Sequence, residues 1–229
     1  MLALFFKIHN IKNSLMNGSA TMQDWPYLAK YRQENAKLPL PESGENRVVF
    51  LGDSITEFWS NEQPLFFQNK TYINRGISGQ TTPQMLLRFR ADVINLKPKI
   101  VVILAGGNDI AGNTGVTTIE MITDNIFSMI ELAHVHHIKV ILCSVLPANF
   151  FYWNPKEKPA DRIIELNFNL KKYALSNGIL FVDYFSPMAD EEKGLKTEFS
   201  EDRVHPNAAG YQIMSPLIEA AIQLTINNL

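Results

Sequence analysis

Five short apolar runs punctuate the chain, at residues 48–51, 72–74, 100–104, 139–145 and 179–182. They show little period-2 alternation, so they read as strands covered on both faces, as in a parallel sheet, and not as half-solvated strands. The segments between them are long enough for crossover helices, with candidates at 82–96, 117–136, 161–177 and 206–226. Asn177-Gly178 supplies the left-handed turn that stops the third. Pro216 is expected to kink the last near Met214. Ahead of the first strand, Asp24-Trp25-Pro26 predicts a helix through Leu38. Asp24 would cap it, Trp25, Leu28 and Tyr31 would share a face, and Pro39 and Pro41 would end it.

This alternation predicts an α/β fold: a three-layer α/β/α sandwich around a doubly wound, five-stranded parallel sheet, flavodoxin-like in its order 2-1-3-4-5, with right-handed crossovers. Residues 23–229 are expected to form one domain. Residues 1–22 read as a loosely attached extension, with Met16 or Met22 as alternative starts. Its apolar opening is broken by Lys7, His9 and Lys12, too soon for a signal peptide or a membrane span. The longest irregular stretches, 105–116, 147–159 and 186–201, all follow predicted strands. They should therefore gather at the carboxyl edge of the sheet, where open α/β folds bind ligands.

Composition narrows the function classes. Of 229 residues, 46% are hydrophobic and 19% charged, which suits a globular chain and not a disordered one. With 21 Lys and Arg against 23 Asp and Glu there is no basic excess to hold nucleic acid. Cys143 is the only cysteine. Its apolar run reads as core and not as an activated thiol, and it leaves the compartment open.

The chemistry-bearing residues cluster in four short blocks. Gly52-Asp53-Ser54-Ile55-Thr56 closes the first run and opens a segment able to turn helical. Taken alone it reads equally as a helix cap. The stretch from Asn74 through Gly79 to Thr82 follows the second run, and Ala105-Gly106-Gly107-Asn108-Asp109 follows the third. Each could be a plain turn. Acyl transfer, however, needs donors aimed at an oxyanion, and Gly79 offers an unobstructed N–H and Asn108 a side-chain amide. Near the C-terminus, Asp202 precedes His205 by three residues, close enough for the carboxylate to reach Nδ1 while Nε2 faces Ser54. A serine hydroxyl needs such an imidazole, and the imidazole needs a group to hold its tautomer.

In order and content these blocks resemble the SGNH, or GDSL-like, hydrolase superfamily of lipases and acylhydrolases, from Asp24 to about Leu229. The resemblance implies that Ser54 is the nucleophile, His205 the general base and then acid, and Asp202 its orienter. It implies an oxyanion hole of the Ser54 and Gly79 N–H groups and the Asn108 amide. Ile55 stands where the family's name places leucine, a change expected to matter only to packing.

The expectation is therefore a metal-independent serine esterase that cleaves an acyl ester of short chain through an acyl-enzyme, with no cofactor and a small-molecule or carbohydrate ester as substrate. An alternative is an acetylesterase of acetylated sugars, with Phe150, Phe151, Tyr152 and Trp153 lining the pocket. The same four residues could instead form an apolar lid on the sheet edge. A third reading is a non-catalytic α/β domain holding an anion at the helix start after Asp53. A nucleotide site lacks its glycine-rich loop. His134, His136 and His137 read as basic residues at a helix C-terminus, not metal ligands. Phe58 and Trp59 read as core anchors, and Asp53 and Asp109 as loop braces.

Overall fold

The computed structural model describes residues 24–228 except Asn69. The expectation of an N-terminal extension over residues 1–22 lies outside the described residues.

Five parallel strands, β1 (Val48–Gly52), β2 (Tyr72–Gly76), β3 (Ile100–Leu104), β4 (Lys139–Cys143) and β5 (Leu180–Val182), form one sheet in the order β2-β1-β3-β4-β5. The parallel order 2-1-3-4-5 is the one expected from the sequence. β1 and β3 are buried along their whole length, which explains their unbroken apolar runs. β4 stops at Cys143, short of the expected Val145. The Ser144 N–H still reaches the Val182 carbonyl, but its Oγ turns to accept the N–H groups of Tyr184 and Phe185.

The helices, in chain order, are α1 (Arg32–Lys37), α2 (Ser54–Glu62), α3 (Pro64–Phe67), α4 (Thr82–Asp92), α5 (Gly107–Ile110), α6 (Ile119–Val135), α7 (Ala160–Ser176), α8 (Phe185–Met188) and α9 (Ala208–Asn227). One face of the sheet packs Val49, Leu51, Val101 and Ile103 against α4, α6 and α7 through Phe89, Ile126 and Leu166. The other packs Val48, Phe50, Val102 and Cys143 against α2 and α9 through Trp59, Tyr211 and Ile218. Each buried aliphatic or aromatic side chain of these two cores stabilises the fold by roughly 1.5–3 kcal/mol.

Two helical elements differ from the sequence expectation. The helix expected from Asp24 to Leu38 is a series of turns followed by the six residues of α1. Asp24 does cap the first turns, accepting the N–H groups of Leu28 and Ala29. Tyr27 then enters the left-handed region at φ 58°, which a continuing helix forbids. The helix after β2 ends at Asp92 and is followed by a separate 3₁₀ turn, Ile94–Leu96. Helix α9, Ala208–Asn227, carries Pro216 in its interior. The Asn177-Gly178 stop is as expected, with Gly178 at φ 65° and the Ile179 N–H closing back on the Ala174 carbonyl.

Because all strands run the same way, every segment that follows one emerges at the same edge. That edge carries Ser54, Gly79, Asn108 and the 147–159 stretch.

Candidate active site

Ser54 is the first residue of α2, separated from the end of the buried strand β1 by Asp53 alone. Asp53 caps that helix, its Oδ1 accepting the Ile55 N–H at 3.0 Å. Gly52 makes the tight exit feasible, since a Cβ there would lie 2.8 Å from the Leu104 carbonyl oxygen. Ser54 is thereby held at a positive helix end with its side chain 5% exposed as a residue.

His205 arrives from the far end of the chain. Helix α9 packs on α2 through the rings of Trp59 and Tyr211, 5.2 Å apart, and the Tyr211 hydroxyl donates to the Ile55 carbonyl at 2.7 Å. That clamp sets the loop before α9 over the start of α2. The Ser54 Oγ lies 2.9 Å from His205 Nε2, and His205 Nδ1 lies 2.7 Å from Asp202 Oδ2. The turn between them is sharp because Arg203 takes φ 66°. Asp202 Oδ1 accepts the N–H groups of Val204 and His205 at 2.9 and 2.7 Å, so one carboxylate holds both the turn and the imidazole. Burial pushes the Asp202 pKa up, but the hydrogen bonds from the His205 ring and from these two N–H groups outweigh it and hold the pKa below the ordinary value. An ionised Asp202 favours Nδ1–H on the imidazole, which leaves Nε2 to accept a proton from Ser54.

On the other side of Ser54 sit Gly79 and Asn108. Gly79 has φ 77°, a conformation that side chains rarely adopt. Among the described residues, neither its N–H nor that of Ser54 donates to a protein acceptor. Asn108 lies on α5, where Gly106 at φ 120° turns the chain away from β3. Its Nδ2 donates to the Gln80 carbonyl at 3.1 Å and lies 3.3 Å from Asp53 Oδ2. Its Oδ1 accepts from Asn113 Nδ2 at 2.9 Å.

These loops rest on buried polar groups. Asp109 receives the N–H and hydroxyl of Thr82 and so ties α5 to the start of α4. Arg88, fully buried, donates to Gln80 Oε1 at 2.5 Å, to the Gly52 carbonyl at 3.0 Å and to Asp92 at 3.1 Å. Burial raises the pKa of Asp53 to about 6, against the opposing pull of the Ile55 N–H and of His205.

The four aromatic residues after β4 divide. Phe151 is buried in the core beneath Trp153, whereas Phe150, Tyr152 and Trp153 are exposed. Trp153 lies near-parallel to the His205 ring, with centroids 6.4 Å apart. Trp59 is core, as its sequence suggested, but Phe58 is not a core anchor: its ring sits 5.5 Å from His205. Helical geometry accounts for this, because adjacent residues point about 100° apart and only one can face the sheet. Clefts of about 500 and 250 Å³ flank the site, the first lined by Trp25, Gly79 and Asn113, the second by Phe58, Asp202 and His205. The structure thus brings together Ser54, Asp202 and His205, ties the Gly79 and Asn108 loops to each other, and sets Trp153 beside His205, whereas Phe151 goes to the core. Gln80, Arg88 and Asn113 were not singled out, since nothing local distinguishes them from ordinary loop or helix-surface residues.

Residues 50–213 match the GDSL-like lipase/acylhydrolase family, and the chain belongs to it. Among solved structures, an inferred acylhydrolase of Bacteroides fragilis NCTC 9343 is 51% identical with a TM-score of 0.88, covering 89% of this chain and 99% of its own. A GDSL-like lipase of Bacteroides thetaiotaomicron VPI-5482 is 49% identical with a TM-score of 0.86, covering 87% of this chain and 98% of its own. The acetylxylan esterase Axe2 of Geobacillus stearothermophilus, 22% identical over 77% of this chain and 94% of its own, shares the fold at a TM-score of 0.61. YqeF, an uncharacterized lipoprotein of Bacillus subtilis (strain 168), is 39% identical over 83 residues; the match spans 34% of this chain and 34% of that protein. Among the described residues no helix is long and apolar enough to cross a membrane.

Proposed function

We propose that this protein is a serine esterase that hydrolyses a short-chain acyl ester through an acyl-enzyme on Ser54. The observation that carries this reading is the continuous relay from Ser54 Oγ to His205 Nε2 at 2.9 Å and from His205 Nδ1 to Asp202 at 2.7 Å. As Oγ attacks the carbonyl, His205 takes its proton, and Asp202 stabilises the imidazolium without leaving its two backbone donors. The oxyanion receives the free N–H groups of Ser54 and Gly79. Asn108 becomes the third donor by exchanging its long 3.3 Å contact to Asp53 for the developing charge. Collapse expels the alcohol, which takes the proton from His205 Nε2. Water then attacks the acyl carbonyl with His205 taking its proton, the bond between the acyl carbon and Ser54 Oγ breaks as His205 returns that proton to Oγ, and the carboxylic acid leaves. The closeness of Phe58 and Trp153 to the imidazole favours a small acyl group.

Replacing Ser54 by Ala is expected to abolish turnover of p-nitrophenyl acetate while leaving the circular dichroism spectrum and melting temperature unchanged. Activity equal to the parent enzyme would overturn the mechanism. Binding of ligand without turnover by the parent would instead support a non-catalytic anion-holding domain.

A second, narrower reading is favoured by one observation: the exposed ring of Trp153 beside His205, with the exposed Tyr152 ring edge-on to it, offers an apolar face of the kind that stacks on sugars. It makes the substrate an acetylated carbohydrate. Faster acetate release from acetylated xylo-oligosaccharides than from simple acetate esters would support it, and the reverse order would sink it.

A further inference from the structure

We infer that Asn113 is a positioning residue that sets the polarity of the oxyanion hole, a role that rests on the esterase reading above. An asparagine amide can turn over with almost no change of shape, and Asn108 turned over would present an oxygen to the developing anion instead of a donor. The Gln80 carbonyl and Asp53 Oδ2 oppose this at the Nδ2 end. At the Oδ1 end the Asn113 Nδ2 does so, donating to Asn108 Oδ1 at 2.9 Å and to the Gly79 carbonyl at 3.1 Å. Once Asn108 Nδ2 leaves Asp53 for the developing charge, the Asn113 donor still holds the amide in this sense. One NH₂ group therefore grips both loops that carry oxyanion donors, and it leaves Asn108 Nδ2 on the side of Asp53 and Ser54.

The polarity of Asn113 is itself set. Its Oδ1 accepts the Trp153 Nε1–H at 3.1 Å, and an indole nitrogen can only donate. The direction of hydrogen bonding thus runs from Trp153 through Asn113 to Asn108, with no member free to turn over alone. It also links the aromatic stretch after β4 to the donors around Ser54, so a substrate that presses on Trp153 would be felt at the oxyanion hole.

The Asn113 side chain is not needed to hold its own loop. The Asn113 N–H bonds to the Asn108 carbonyl at 3.1 Å, the Gly112 N–H to the Asp109 carbonyl at 3.0 Å, and Asn154 Nδ2 to the Ala111 carbonyl at 2.9 Å. Thr114 Oγ1 reaches Thr81 Oγ1 at 3.0 Å. Asn113 is exposed and outside both cores. Its removal should therefore cost chemistry and not folding.

The test compares Asn113→Ala, Trp153→Phe and the double variant with the parent and with Ser54→Ala, on p-nitrophenyl acetate across pH. Asn113→Ala is expected to lower kcat by about 10- to 100-fold, part of the full worth of an oxyanion donor, with KM changed by less than about threefold. The pH profile of kcat/KM should not move, because His205 and Asp202 are untouched, and the melting temperature should stay within about 2 °C. Trp153→Phe keeps the ring and removes the N–H, so a smaller fall in kcat is expected. The double variant should be no worse than Asn113→Ala, because the two act in series. A kcat for Asn113→Ala within about twofold of the parent, or a loss that falls on KM alone, would overturn the role of Asn113. If Ser54→Ala retained full activity, the esterase reading would fail and this role with it. An inactive Ser54→Ala beside a fully active Asn113→Ala would sink the role of Asn113 alone.

Discussion

The two sides of Ser54 are built in opposite ways. The side that would move the proton is local and wet: Asp202 and His205 are three residues apart, their side chains are 35% and 21% exposed, and their contacts are made within one turn. The side that would hold the anion is assembled from three distant loops, with Gly79 and Asn113 exposed at its rim and a dry base beneath Asn108. Asn108 reaches residues 28 and 55 positions away, and Arg88 and Asp109 beneath it are 0% and 1% exposed. A proton relay can tolerate water because its groups are titratable and strongly directional. A donor array gains from a dry, preorganised setting, where each donor acts at full strength on the developing charge. The difference predicts that damage to the first side, or to the exposed rim of the second, costs chemistry alone, while damage to the buried base of the second costs chemistry and stability together.

Asp202→Asn gives the largest effect and the cleanest split. Its Oδ1 can still accept the Val204 and His205 N–H groups, so the turn survives, but the amide can no longer hold an Nδ1–H tautomer with Nε2 free. By analogy with serine triads, kcat on p-nitrophenyl acetate is expected to fall about 10⁴-fold with little change in melting temperature. A drop below about tenfold would mean that Asp202 does not orient the imidazole.

Asn108→Ala should cost less activity and more stability. Losing one oxyanion donor is expected to lower kcat by about 10²- to 10³-fold. The buried Gln80 carbonyl and Asp53 carboxylate also lose a donor, worth roughly 1–3 kcal/mol. Thermal unfolding should therefore shift down by several degrees. An unchanged melting temperature would show that the dry network does not depend on this amide.

The smallest effect is one of pH. The Asp53 carboxyl is raised by burial from its ordinary 3.8 to about 6 in the folded protein. The folded state then holds a proton that the unfolded chain has released across that interval. This group's contribution to stability is therefore greatest below its unfolded pKa, declines as pH rises from about 4 to about 6, and is level above. Asp53→Asn cannot titrate, so the melting temperature of the parent relative to this variant should fall across that window. Parallel curves from pH 4 to 7 would contradict the assignment.

The same contrast explains what could be read from the chain. Ser54, His205 and Asp202 were legible because each sits in a short motif at an element boundary, and the continuous apolar runs at β1 and β3 marked a sheet covered on both faces. Asn108 and Gly79 are legible as possible donors in loops after strands, each also readable as a plain turn, and the family resemblance tips the balance. Asn113, Gln80 and Arg88 were invisible, because their significance lies in partners brought close by the fold and not in any local pattern. Phe58 was misread for a related reason. Its neighbour Trp59 carries the apolar signal, and which of two adjacent aromatics faces the core depends on how α2 is rotated by its packing with α9. The helix expected from Asp24 fails at Tyr27, a residue whose left-handed backbone no propensity signals.

The central claim is that Ser54 is the activated nucleophile. Treating the protein with a fluorophosphonate at neutral pH and mapping the adduct by peptide mass spectrometry tests it most directly. The account predicts one stoichiometric adduct, on Ser54, that forms far more slowly when His205 is replaced by Ala. No adduct, or an adduct on another residue in the parent protein, would contradict it.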